Sequence, residues 1–159
     1  MDFSITNTYV ARAIELATKN VEAGNGGPFA AIIVRDDRVI AEGTNTVTTA
    51  NDPTAHAEVN AIRAACAALH EFHLTGCDIY ASCEPCPMCL AAIYWSRCDA
   101  IFYGASAADA AAAGFDDSFL YQEVSRPVEQ RKLATKRLLP DEALESFNTW
   151  RAQTDKIEY

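Results

Sequence analysis

Residues 83–89 read Cys-Glu-Pro-Cys-Pro-Met-Cys, and upstream of them residues 56–58 read His-Ala-Glu. Cys86 and Cys89 are three positions apart, so on a first helical turn they face the same way. Pro87 suits the opening position of such a helix, where its missing N–H has no intrahelical partner to lose. The thiolate is the metal-binding form of cysteine, and a helix N-terminus lowers the pKa that gives it. His56 adds a neutral imidazole. Three protein ligands leave a fourth tetrahedral position for water, which is the arrangement of a catalytic zinc and not of a structural one. Two thiolates and an imidazole already neutralise the ion, so its water is less acidic than in a three-histidine site and needs a separate base. Glu58, two residues from His56, is near enough to serve without being a ligand itself.

Three other readings compete for these residues. Cys83 as a fourth ligand makes the site structural, although nothing structural then requires Glu58. The spacing of Cys83, Cys86 and Cys89 resembles an iron–sulfur run, but Ile93 stands where the fourth cysteine is expected. Cysteines are also common as plain core residues. The joint pattern H-x-E with P-C-x-x-C, in which Pro85 supplies the proline, is specific where either half alone is weak. It is the signature of zinc-dependent nucleobase deamination.

Working outward, Thr8 to Ala23 reads as an amphipathic helix, with Tyr9, Ala13, Ile14, Ala17 and Val21 on one face and Thr6 or Asn7 as its cap. Gly24 ends it, and Gly26-Gly27-Pro28 forms a tight loop. Phe29 to Val34 is a continuous apolar run, hence a buried strand. Asp36-Asp37 turns the chain into a second strand, Val39 to Asn45. A polar loop over Thr46–Pro53 precedes a helix from about Thr54 to Leu69, with Val59, Ile62, Cys66 and Leu69 on its apolar stripe. Strands are expected at Cys77–Ala81, Ala100–Tyr103 and Leu133–Leu138. Helices are expected from Pro87 to about Arg97, over Ala107–Ala113, and over Asp141–Ala152. Strands alternating with helices after an opening hairpin imply a β-centred layer covered on both faces. His56 and Cys86 then fall at the N-terminal ends of two helices.

The chain has 159 residues, the size of one domain, and half of them are hydrophobic, enough for a core without staples. Of the six cysteines, Cys66, Cys77 and Cys98 read as small buried residues and not as disulfide partners. No apolar run is long enough to span a membrane, and the polar N-terminus lacks the pattern of a signal peptide, which points to the cytoplasm. Acidic residues outnumber Lys plus Arg by 22 to 13, a formal net charge of −9. That field repels phosphates and favours a neutral or weakly charged small substrate.

Four segments carry a resemblance: Gly26-Gly27-Pro28-Phe29, Asp52 to Glu58, Ser82 to Cys89, and Gly114-Phe115-Asp116-Asp117. Together they resemble the cytidine-deaminase superfamily, and the last of them, with the C-terminal Tyr159, resembles its guanine-acting bacterial branch. The resemblance implies an α/β/α three-layer sandwich around a five-stranded mixed sheet. It implies hydrolysis of guanine to xanthine and ammonia. His56, Cys86 and Cys89 would hold one Zn²⁺, and Glu58 would shuttle protons. Phe29 would pack on the purine face, and Asn45 and the backbone of Ala57 would meet its polar edge. Asp117 would accept from the amino group and assist proton transfer, and Tyr159 would close the pocket. A homodimer that exchanges a C-terminal segment, about residues 118–159, is a further implication. This chain departs from the family at Leu90-Ala91-Ala92, where a glycine is usual, and matches loosely over Glu123–Asp141.

Each substrate contact has a plainer reading. Phe29 heads an apolar strand, Asn45 ends one, Asp116-Asp117 can cap a helix, and a terminal tyrosine often frays. A tRNA adenosine deaminase shares the metal motif but needs a basic surface, and Arg131, Lys132, Lys136 and Arg137 look like a solvated strand face. Guanosine, another aminopurine or an aminotriazine remain open as substrates. A silent zinc-stabilised binding module leaves Glu58 without a purpose. His70 and His73 read as solvent-facing, and Trp95 as core or pocket wall.

Overall fold

The structure is a computed structural model that describes residues 3–158, with side chains from Thr6 onward. The chain divides into two compact units, Met1–Ser118 and Phe119–Tyr159. The first holds a four-stranded mixed sheet in the order β2-β1-β3-β4, built from β1 (Ala30–Arg35), β2 (Arg38–Thr44), β3 (Asp78–Cys83) and β4 (Ala100–Ala105). β1 is antiparallel to β2 and to β3, and β3 is parallel to β4. Asp36 and Asp37 both take positive φ, 50° and 57°. That is the backbone of a two-residue hairpin turn whose twist matches the strands it joins.

Alternation along the strands sorts the core into two layers. Ala31, Ile33, Ile79 and Ala81 face one side, where they pack with Ala57, Ala61 and Ala65 of α3 (Ala57–Leu69) and Ile93 of α4 (Pro87–Ser96). Ile32, Val34 and Tyr80 face the other, against Ala13, Tyr9, Val10 and Leu16 of α1 (Phe3–Glu22). Helices on both faces of the sheet make the three layers the alternation predicted. On the α1 side Tyr80 stacks on Phe102 at 4.9 Å and tilts against Tyr9 at 5.0 Å.

The buried stripe of α3 differs from the expected one. Alanines 57, 61 and 65 lie deepest, while Ile62, Cys66 and Leu69 pack at the flank. Small side chains let the helix come close to β2. A Cβ on Gly43 would stand 2.4 Å from both Ala57 O and Ala61 N, so this position takes only glycine. α1 also starts earlier than predicted, which leaves Thr6 and Asn7 inside the helix and not at its cap. Ile14 and Val21, expected on its buried face, are half exposed. A short helix, α2 (Val47–Ala50), replaces part of the polar loop.

The sheet has four strands among the described residues, not five. The missing one is the predicted strand at Leu133–Leu138, which carries no regular structure. The second unit forms no other strand among its described residues for this segment to pair with, and a lone strand leaves its ladder groups to water. What that unit does form is helical: α6 (Ser118–Ser125), a 3₁₀ turn over Val128–Gln130, and α7 (Leu144–Ala152). In the first unit, α5 (Ala107–Ala112) is closed by a reciprocal cap, in which Ser106 accepts from Asp109 N–H and Asp109 from Ser106 N–H.

Candidate metal centre and pocket

His56 is the N-cap of α3 and Cys86 the N-cap of α4, with Pro87 at the first helical position. Two helix N-termini thus bring their partial positive charge to one place, where thiolates are favoured. Cys86 Sγ lies 3.6 Å and Cys89 Sγ 3.4 Å from His56 Nδ1. One ligand atom from each of the three falls within 4.8 Å of the others. Tetrahedral zinc with ordinary bond lengths sets a nitrogen and a sulfur about 3.6 Å apart. The donor set therefore fits zinc in both chemistry and spacing.

The protonation pattern supports that fit. The hydrogen bond with Cys89 pulls the Cys86 thiol down to about 4, and the bond to His56 adds to it. The same bond pushes Cys89 up, and the bond to Cys86 raises His56. The Cys86 thiol, drawn down this far, supplies the thiolate form that a metal binds. Cys83 stays out of this set: its Sγ lies 3.7 Å from Ser106 O. Ile93 is buried in the core. Neither the structural-site nor the cluster reading gains a fourth ligand. All six cysteines are free thiols, with Cys77 fully buried and Cys66 and Cys98 partly so.

Glu58 sits in the first turn of α3 with 8% of its surface exposed. Burial pushes its carboxyl up, against the bonds from its own N–H and from Cys89. It is a carboxylate in a dry place beside the metal ligands, which is the setting of a proton carrier.

The other predicted site residues gather around these helix ends. Asn45 is buried, and its N–H donates to Phe29 O at 3.0 Å, so the purine-face and purine-edge candidates are neighbours across the hairpin. Phe29 is only partly buried and meets Phe115 edge-on, with centroids 5.0 Å apart and planes at 86°. It packs against the edge of the hydrophobic core and keeps part of its surface open. Thr46 N–H donates to Ala55 O at 3.0 Å, which ties the residue after Asn45 to the one before His56. Ala57 opens α3, where a backbone N–H has no intrahelical acceptor. Asp117 is partly buried, and desolvation followed by the charge on Cys86 pushes its carboxyl up. Glu84, within the cysteine run, accepts from Ala107 N–H at 2.9 Å and ties that run to α5.

Tyr159 lies outside the described residues. His70 and Arg97 end α3 and α4 in the left-handed conformation. Trp95 is 72% exposed and so not core; with Ala91, Tyr94 and Arg97 it lines an open surface pocket. Arg131, Lys132, Lys136 and Arg137 are exposed, but on irregular chain and not on a strand.

Two residues escaped the sequence reading. Asn60 Nδ2 reaches Thr44 O at 2.9 Å, Thr46 Oγ1 at 3.2 Å and Ala55 O at 3.3 Å, bracing the loop between Asn45 and His56. Asn20 binds Gly27 O and Asn45 O, both at 2.9 Å. The signal for Asn20 is present in the sequence, since it continues the Ala13–Ala17 stripe at a spacing of three. A polar residue on a buried stripe announces a partner.

Comparison with known proteins agrees with this geometry. The family model of the cytidine and deoxycytidylate deaminase zinc-binding region matches residues 4–105. A guanine deaminase from Bacillus subtilis is 55% identical over 152 residues, covering 96% of this chain and 97% of its own. The X-ray structure of guanine deaminase from Bacillus subtilis superposes with a TM-score of 0.94 at 54% identity, covering 96% of this chain and 98% of that one. A tRNA-specific adenosine deaminase from Agrobacterium fabrum is 47% identical over 90 residues, 54% of this chain and 59% of its own.

Proposed function

The chain belongs to the cytidine and deoxycytidylate deaminase family, and from that premise we propose that it hydrolyses guanine to xanthine and ammonia. The observation that carries the choice of guanine is the extent of likeness. The shared zinc-binding region ends at residue 105, whereas the identity to a guanine deaminase runs over 152 residues and so includes most of the chain beyond that point. The metal region is common to the family; the remainder is where a substrate is chosen.

His56, Cys86 and Cys89 would hold the zinc, which when bound supplies Lewis-acid activation of a water. Glu58 takes the proton from that water and passes protons to a ring nitrogen and then to the departing amine, as the C2–N bond breaks and a C2–O bond forms. Its burial favours this role, because desolvation raises the carboxyl's pKa and makes it a better acceptor of the proton it later returns. Phe29 offers a face to the flat ring. Asn45 and Ala57 N–H meet its polar edge. Asp117, an acceptor, takes the amino group side and assists its protonation. Tyr159 covers the ring and keeps water out during turnover.

The same reading includes a homodimer in which residues of about 118–159 are exchanged, so that Tyr159 serves the partner's site. In support, the second unit exposes Leu133, Leu138, Phe147 and Ile157, more apolar surface than so short a segment leaves bare without a partner. A cytoplasmic location accords with six free thiols, and no helix among the described residues is long and apolar enough to cross a membrane. The net charge of −9 disfavours a polyanionic substrate.

The test is Glu58→Ala, assayed for ammonia release from guanine alongside its zinc content. Turnover is expected to fall by about 10²–10⁴-fold with one zinc per chain retained. Unchanged turnover removes Glu58 from the chemistry.

A further inference from the structure

Asn20 lies on α1 and touches none of the residues assigned to the metal or the proton shuttle, yet only 4% of it is exposed. Its Nδ2 donates to Gly27 O and to Asn45 O, both at 2.9 Å, so both amide protons are spent on two backbone carbonyls. Gly27 N–H then donates to Asn45 Oδ1 at 3.3 Å, and Val47 N–H donates to the same oxygen at 3.3 Å. Two donors converging on that oxygen hold the Asn45 amide one way round. Turned over, its NH₂ would face two N–H groups. The loop is seated too closely to slide, because a Cβ on Gly26 would stand 2.1 Å from Asn45 O. Among the described residues none accepts from Asn45 Nδ2. The capacity Asn45 keeps for a ligand is therefore a pair of donors.

We propose that Asn20 is a positioning residue for substrate selection: by fixing Gly27 and Asn45 it presents the Asn45 amide as a donor only. The site then takes a ring with an acceptor at that edge, a carbonyl oxygen or an unprotonated ring nitrogen, and rejects one with an amino group there. This rests on Asn45 being a substrate contact. Asn20 itself meets no substrate.

The experiment is a double-mutant cycle in the full-length, zinc-loaded protein, with guanine as substrate. Asn20→Ser is expected to raise KM about tenfold, the scale of one lost hydrogen bond, with kcat within about twofold of the parent. In an Asn45→Ala background the same substitution is expected to change KM little, because the group it orients is gone. An equal KM rise in both backgrounds overturns the proposal while Asn45→Ala alone still reports the contact. An Asn45→Ala protein with unchanged KM overturns the contact reading, and the proposal with it. A measurement on the unmutated protein stands whether or not Asn20→Ser folds. Asn20 side-chain amide protons are expected to be protected from exchange. Those of Asn45 are expected to exchange freely until xanthine is added. Equal protection of both amides in the free protein shows Asn45 bonded the other way and overturns the proposal.

Discussion

Glu58 and Asp78 are both acidic side chains with raised pKa values, and only one of them has chemistry to justify it. Glu58 is legible once H-x-E is read together with P-C-x-x-C, because a carboxylate two residues from a metal ligand has no structural purpose. Asp78 opens β3, where burial first and then the charge of Asp99 push its carboxyl up. A carboxyl with a raised folded pKa gives no penalty when protonated in both states. Its cost to stability appears as pH rises above the unfolded value of about 3.9 and is full above the folded pKa. Asp78→Asn is therefore expected to raise the melting temperature at pH 7 by about 1–2 °C, the scale of a few tenths of a kcal/mol. The gain should vanish near pH 3.5. Thermal melts of both proteins at the two pH values check this, and a gain of equal size at both refutes the electrostatic cause. Asn20 marks the limit of residue-level reading. Its place on the buried stripe is visible in the sequence, but its partners, Gly27 and Asn45, are joined to it only by the fold.

At the scale of elements, the sequence is most informative where apolar runs are long and turns are chemically marked. The hairpin at Asp36-Asp37 and the starts of α3 and α4 arise from such signals. It is least informative for α3, whose deepest residues are alanines: periodicity weighs large side chains, while close packing on β2 selects small ones. Gly43 is the counterpart of that alanine stripe. Gly43→Ala forces its Cβ against the backbone of α3, where no rotamer can relieve the contact. The expected loss is about 2–3 kcal/mol, read from urea unfolding of the zinc-loaded protein. Because α3 carries His56 at its N-cap, zinc affinity should weaken as well. A stable variant with parent-like zinc affinity would show that the helix shifts without cost.

For the whole molecule, the boundary between what sequence can and cannot tell falls near residue 118. Up to there, alternating strands and helices predict three layers, and those layers form. Beyond it, the Leu133–Leu138 segment has the composition of a strand but no local partner to pair with, and pairing is not a local property. If the C-terminal segment is exchanged between subunits, two defective chains should repair each other. Mixing Glu58→Ala with a chain lacking Tyr159, under conditions that allow subunit exchange, is expected to restore about a quarter of parental activity. Random pairing gives half the dimers as mixed, each with one complete site. No recovery, with dimer exchange verified by mass, argues against Tyr159 acting in the partner's site.

The central claim is that a zinc site common to a family is here fed with guanine. Its most direct test is ammonia release by the zinc-loaded protein from guanine, guanosine, adenine, cytidine and an aminotriazine, measured side by side. Guanine is expected to give the highest kcat/KM, with xanthine formed mole for mole with ammonia. Release from any of the others with none from guanine would contradict the account.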